Sequence, residues 1–131
     1  MKKGRFLNAD IMEVISKMGH MDEIVIGDAG LPIPDGVRRI DLAIVPGTPE
    51  FILVLRELLQ VYACEGYVLA EEILENNLEI RKQIQELLPE AEERYVPHEE
   101  FKAAMKHAKA VIRTGECTPY ANIILRSGVI F

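Results

Sequence analysis

The sequence predicts a three-layer α/β/α protein, with helices on both faces of a central, mostly parallel sheet. Three observations predict it. Short β-branched runs alternate with stretches of helical periodicity. Those runs are apolar enough to be covered on both faces. The 131 residues are about one domain's length of chain. No composition shift, internal repeat or low-complexity tract divides the sequence, so residues 1–131 read as a single domain.

The elements follow in order. Asn8 can cap a helix whose apolar residues Ile11, Val14, Ile15 and Met18 recur at helical spacing, with Gly19 as its left-handed stop. Glu23 to Ile26 reads as a strand that empties into a loop stiffened by Pro32 and Pro34. Arg38 to Val45 reads as a second strand, broken by Pro46-Gly47. Thr48-Pro49-Glu50 then supplies a cap, a first-turn proline and a first-turn acid for a helix running to about Gln60. Glu65 to Ala70 is a strand, Glu71 to Leu88 one polar amphipathic helix, and Glu93 to Val96 a strand stopped by Pro97. A short helix runs from Pro97 to near His107. The tail holds two or three strands, at Ala110 to Arg113, Asn122 to Leu125 and Val129 to Phe131, and this is where the sheet can depart from parallel.

Composition bounds the function. The chain is 49% hydrophobic and 27% charged, so it can bury a core without a disulfide or structural metal. Fifteen basic against 21 acidic residues leave a net charge of −6. The basic clusters, Lys2-Lys3-Gly4-Arg5 and Arg38-Arg39, are too short for a phosphate backbone, so nucleic acid is not an expected partner. The apolar runs are too short for a membrane span, and Asn8, Asp10 and Glu13 interrupt any secretory signal, so the expected location is cytoplasmic. Cys64 and Cys117 read as small buried hydrophobes.

The familiar cofactor motifs are absent. Gly27-Asp28-Ala29-Gly30 lacks the third glycine of a dinucleotide fingerprint, and the prolines after it forbid the helix that would cradle a pyrophosphate. His98-Glu99-Glu100-Phe101-Lys102 carries Lys102 where a zinc motif has its second histidine, and the other histidines and cysteines have no ligand spacing. Neither a cofactor nor a metal is expected. What remains is a set of acid/base and hydrogen-bonding residues on loops: His20, Asp28, His98, Tyr120 and Asn122, with Lys102 one turn beyond His98. In an open α/β sheet ligands bind outside the carboxyl ends of the strands, which singles out the loops after Ile26, Val96 and Arg113. His20 lies past a helix C-terminus, whose dipole favours an imidazolium able to donate a proton, although an exposed loop histidine fits the sequence equally. Asp28 can serve a ligand or an Asx-turn. If Asn122 opens a strand, Tyr120 and Asn122 face one side two residues apart, a donor-acceptor pair suited to a small polyol.

With these residues in place, the chain resembles the D-ribose pyranase family, whose sister family is fucose mutarotase. The resemblance runs the whole length. It rests on Lys2-Lys3-Gly4 with Leu7-Asn8, on Gly19-His20-x-Asp22, on Asp28-Ala29-Gly30-Leu31-Pro32-Ile33-Pro34, on His98-Glu99-x-Phe101-Lys102, and on Val111 through Leu125 including Gly115-Glu116-Cys117-Thr118-Pro119-Tyr120-Ala121-Asn122. Gly30 to Pro34 and Thr118-Pro119 favour the ribose branch. The resemblance implies interconversion of the β-pyranose and β-furanose forms of D-ribose without cofactor, ahead of ribose phosphorylation. It also implies a homodecamer with sites at subunit boundaries. His20 would be the proton donor. Asp28, His98, Tyr120 and Asn122 would bind the sugar, Ala121 would add backbone contacts, and Lys102 is a further contact. Two alternatives use the same pocket: a non-catalytic sugar-binding accessory of ribose uptake, and a mutarotase for another monosaccharide such as fucose.

Overall fold

The computed structural model describes residues 1–131. Its elements are α1 (Ala9–Lys17), β1 (Glu23–Gly27), β2 (Arg39–Asp41), α2 (Phe51–Leu58), β3 (Cys64–Ala70), α3 (Ile73–Asn76), α4 (Leu78–Leu87), β4 (Glu92–Val96), α5 (His98–Ala104), β5 (Val111–Arg113) and β6 (Ile123–Ser127). A 3₁₀ turn, Met105–His107, extends α5. The strands form one sheet in the order β2-β5-β1-β6-β3-β4. The pairings of β1 with β5, β2 with β5, and β3 with β4 are parallel, while β6 runs antiparallel to both β1 and β3. The departure from parallel therefore lies in the tail, as expected, and is confined to its second strand.

Alternation along the strands builds the three layers. In β1, Ile24 and Ile26 face a large core with Ile112, Ile123 and Leu125, closed by Ile11 and Val14 of α1, Phe51 and Leu55 of α2, and Ile80 and Ile84 of α4. Val25 faces the opposite side with Val111 and Ile124, under Phe101, Met105 and Leu31. One face is thus covered by α1, α2 and α4 with Ile73 of α3, the other by α5 and the proline-stiffened loop.

Several boundaries differ from the sequence reading. Asn8 caps α1 as expected, its Oδ1 accepting from the Ile11 N–H at 2.9 Å. The left-handed residue after α1 is Met21 (φ 73°), however, not Gly19. The Met21 N–H donates to the Ser127 carbonyl at 3.0 Å, so a sheet contact sets that turn. Only Arg39–Asp41 of the second strand pairs, because the chain then folds on itself through the Ile44 N–H and the Thr48 carbonyl at 3.0 Å. Pro49 lies ahead of α2 rather than in its first turn. The N-terminus of α2 is capped from a distance instead: Glu116 Oε1 accepts from the Phe51 N–H at 3.1 Å. The single helix expected over 71–88 is split at Asn77, whose side chain accepts from the Ile80 N–H and so starts α4 afresh. Val129–Phe131 is not a strand; these three residues end the chain exposed.

Candidate active site

Five strands run in one direction and β6 in the other, so the carboxyl ends of β1, β3, β4 and β5 share one edge with the amino end of β6. The loops after Ile26, Val96 and Arg113 meet there. Asp28 follows β1, His98 follows β4, and Tyr120 to Asn122 lead into β6. A cleft of about 340 Å³ opens at this edge, lined by Asp28, Ala29, Gly30 and Glu116–Pro119.

The contacts tie these residues together. Asn122 is 1% exposed, and its Oδ1 accepts from the Asp28 N–H at 2.8 Å while its Nδ2 donates to Asp28 Oδ2 at 2.9 Å. Asp28 Oδ1 accepts from the Gly30 N–H at 2.9 Å, an Asx-turn. The Asx-turn use of Asp28 is therefore present, and the same carboxylate is also clamped by a buried amide. Tyr120 is in the left-handed region (φ 57°), a conformation that costs a non-glycine residue roughly 1–2 kcal/mol. That twist removes the strand alternation expected between Tyr120 and Asn122. Instead the Tyr120 ring meets the His98 ring edge-on at 5.1 Å, while Asn122 turns inward to Asp28. Ala121 between them is fully buried in the large core. Tyr120 to Asn122 thereby link His98 to Asp28. Lys102 is half-buried and pairs with Glu99 at 2.7 Å, which holds the Glu99 carboxyl below the usual range.

Residues not singled out in the sequence support this edge. Glu72 accepts from the His98 N–H with both oxygens, at 3.1 and 2.9 Å, and so caps α5 from the end of β3. Asn77 Nδ2 donates to Thr118 Oγ1 and to the Pro119 carbonyl, both at 2.9 Å. Glu116 is nearly buried and accepts from Thr118 Oγ1 at 3.0 Å as well as from α2. Gly115 is required at its position, because a Cβ there would run into the Thr48 backbone. His98 Nδ1 is buried without a hydrogen-bond partner. Of these supports only Asn76-Asn77 carried a legible signal, a pair of cap-forming residues inside an otherwise helical stretch. Nothing local to Glu72 marks it as a cap.

His20 does not join this group. It precedes β1 and stands beside Glu65 of β3 and the end of β6, at the opposite edge of the sheet. The five residues of β1 separate the two edges by roughly 16 Å at about 3.3 Å each. His20 is half exposed, and its Nε2 bonds Glu65 Oε2 at 2.9 Å, the largest cause holding the Glu65 carboxyl below its usual range. A groove of about 290 Å³ beside His20 is lined largely by apolar residues, including Val61, Val129, Ile130 and Phe131. No three His, Cys, Asp or Glu side chains are grouped closely enough to hold a metal ion. No helix is long and apolar enough to cross a membrane.

The chain is similar in sequence and fold to known proteins. The sequence model of the RbsD / FucU transport protein family matches residues 1–130. Over 131 residues, covering the whole of both chains, the sequence is 55% identical to a D-ribose pyranase of Bacillus cereus (strain B4264) and 56% identical to one of Bacillus cytotoxicus. The solved structure of Bacillus subtilis RbsD complexed with D-ribose superposes with a TM-score of 0.98 at 50% identity, covering all of both chains. A fucose mutarotase in complex with L-fucose from Streptococcus pneumoniae shares the fold, with a TM-score of 0.81 at 24% identity over 95% of this chain and 94% of that one.

Proposed function

Because the chain belongs to the RbsD / FucU transport protein family, we propose that it is a D-ribose pyranase, an isomerase that interconverts the β-pyranose and β-furanose forms of D-ribose. The observation that carries this reading is the 55% identity over the full length with a protein of that name. The cytoplasm is the proposed location.

The chemistry asks for little. Opening a hemiacetal moves the anomeric hydroxyl proton to a base while the ring oxygen takes a proton from an acid, and reclosure through a different hydroxyl reverses both transfers. General acid–base catalysis contributes roughly 10² to 10⁴-fold, or about 3 to 5 kcal/mol, a suitable scale for a reaction already fairly easy in water. In this reading protonated His20 serves the ring oxygen. Asp28, His98, Tyr120 and Asn122 hold the sugar hydroxyls, with the Ala121 backbone and Lys102 as further contacts. The base is a carboxylate, the second histidine or a water molecule.

The two edges of the sheet then require two copies. A pentose cannot span the length of β1, so the His20 of one copy must face the Asp28 cleft of the next. Such a head-to-tail contact forms a ring where its rotation closes, which is what the homodecamer implied by the resemblance would need. Exposed apolar residues support it: Met21, Val61, Val129, Ile130 and Phe131 at the His20 edge, Leu74 and Leu78 beside Asn77 at the other.

Saturation-transfer NMR on ribose tests the proposal. The wild-type protein is expected to accelerate pyranose–furanose exchange, and His20→Ala to abolish that acceleration while remaining folded and assembled by light scattering. Ribose binding without faster exchange would favour the sugar-binding accessory. Faster exchange of another aldose, with ribose untouched, would favour the mutarotase alternative.

A further inference from the structure

We propose that Glu65 is the positioning residue for His20, fixing its ring so that Nδ1 carries the proton that is transferred. This rests on the reading of His20 as the proton donor. Three features of the β3 start converge on Glu65.

The first is a break in the ladder. Cys64 pairs with Ser127 and Gly66 with Arg126, so Glu65 is the extra residue of a β-bulge between β3 and β6. Bulges kink a strand locally and re-aim a side chain, and they are over-represented beside active sites. Here the re-aimed side chain meets His20, with Oε2 at 2.9 Å from Nε2.

The second is that the carboxylate is itself held. Glu65 Oε1 accepts from Arg126 Nε at 3.1 Å, and Arg126 Nη2 donates to Glu92 Oε2 at 2.8 Å. A carboxylate bound on one oxygen by a guanidinium has little freedom to rotate, and it presents the other oxygen to the imidazole in a fixed direction. The third is Gly66. A Cβ at that position would stand 2.8 Å from Arg126 Nη2 and 3.1 Å from Cζ, so a side chain there would displace the guanidinium from the place where it reaches both carboxylates.

The consequence is chemical. With Nε2–H donating to Glu65, the nitrogen left to face a sugar is Nδ1. In ring opening, Nδ1–H passes its proton to the ring oxygen as that oxygen takes the electron pair of the C1–O bond. The anomeric O–H proton goes to the base, and its bonding electrons become the new carbonyl bond. His20 is left neutral, as the Nε2–H tautomer that Glu65 stabilises, and ring closure returns the proton to Nδ1. Histidine held by a carboxylate in one tautomer is a recurring device of acid–base catalysis.

The experiment compares wild type, His20→Ala and Glu65→Gln by concentration-dependent saturation transfer on ribose, with ribose affinity measured by titration and assembly by light scattering. Glu65→Gln is expected to lower kcat by about tenfold to a hundredfold, part of the general-acid contribution, with ribose affinity changed by less than about twofold. The His20 ring ¹⁵N signals should change from one dominant tautomer to a mixture. If Glu65→Gln does not assemble, Glu65→Asp provides the same comparison, since it keeps the charge but withdraws it by one methylene from Nε2. An unchanged kcat with an unchanged ¹⁵N pattern overturns the inference. So does a loss of activity that merely tracks unfolding or disassembly. A wild-type protein that leaves exchange at its spontaneous rate would sink the His20 reading itself. Active wild type, inactive His20→Ala and fully active Glu65→Gln would remove Glu65 alone.

Discussion

If each site takes His20 from one copy and Asp28 from its neighbour, two inactive variants should restore one another. The perturbation is co-expression of His20→Ala and Asp28→Asn chains in equal amounts, with mixed assemblies isolated by a different tag on each chain. Asp28→Asn keeps the side-chain volume against Asn122 while removing the charge. The separation along β1, roughly 16 Å, excludes a site completed within one chain. With random assembly, a site is intact when its histidine comes from an Asp28→Asn chain and its aspartate from a His20→Ala chain. Each condition is met half the time, so about one quarter of the sites are wild type in a head-to-tail ring. Each variant alone should lose about 100-fold or more, leaving a background of about 1% against which 25% is plain. Saturation transfer on ribose reads the recovered rate per chain. Activity no greater than the mean of the two homogeneous variants would refute the split site, because a site contained in one chain carries a defect in every copy of the mixture.

Asn122→Ala should cost stability as well as ribose affinity, because it strips two hydrogen bonds from Asp28; a loss of about 1 to 3 kcal/mol in denaturant unfolding is expected. Acid should weaken the fold. Glu13, Glu57, Glu65, Glu99 and Asp41 are all held below the usual carboxyl range, chiefly by Lys17, Arg5, His20, Lys102 and the Ala43 N–H respectively. A depressed folded-state value means that the unfolded chain binds the proton first as pH falls. The stabilisation is therefore complete above the ordinary glutamate value of 4.5 and is lost as pH drops through the lowered ones. The urea midpoint should hold from about pH 7 to about pH 5 and decline below about pH 4; a midpoint that climbs toward acid would contradict the pairings. The two thiols should differ, since burial pushes the Cys64 thiol up to about 11 whereas Cys117 is exposed. A thiol reagent near neutral pH should modify one cysteine quickly, and Cys117→Ser should remove that fast phase.

The strands and their alternation were legible in the sequence because they depend on short-range patterning. Ile24, Val25 and Ile26 read as a strand buried on both faces, and the structure sends them to two different cores. The loops that gather Asp28, His98 and Tyr120 were legible for the same reason, since parallel strands put their following loops on one edge. What escaped was decided by partners distant in sequence. Glu72 caps α5 across 26 residues and Glu116 caps α2 across 65, and neither has a neighbour that marks it. Helical periodicity runs through Asn77, where only the cap-forming pair Asn76-Asn77 hinted at the split; there Asn77 Oδ1 accepts from the Ile80 N–H while its Nδ2 reaches Thr118 and Pro119. The orientation of Asn122 escaped because the left-handed Tyr120 resets the alternation just before β6 begins. The exposed Cys117 shows the limit of composition: it was expected to be a small buried hydrophobe, and the loop it occupies lies at the surface.

The position of β6 has a bearing on how this protein is made. Strand β6, which follows all five of its sheet partners in the sequence, is not an edge strand; it sits between β1 and β3 and joins the three strands β2-β5-β1 to the pair β3-β4, which do not otherwise pair. Until it emerges, the β2-β5-β1 ribbon and the β3-β4 pair each present an open flank, and nascent chains folding from the amino end expose such flanks to one another. Translation must therefore pass Ser127 before the sheet can close. A transcript truncated even a few codons before Ile123 would yield one chain whose two sheet portions stay unjoined, with sticky borders, a substrate for proteases and chaperones rather than a shortened enzyme.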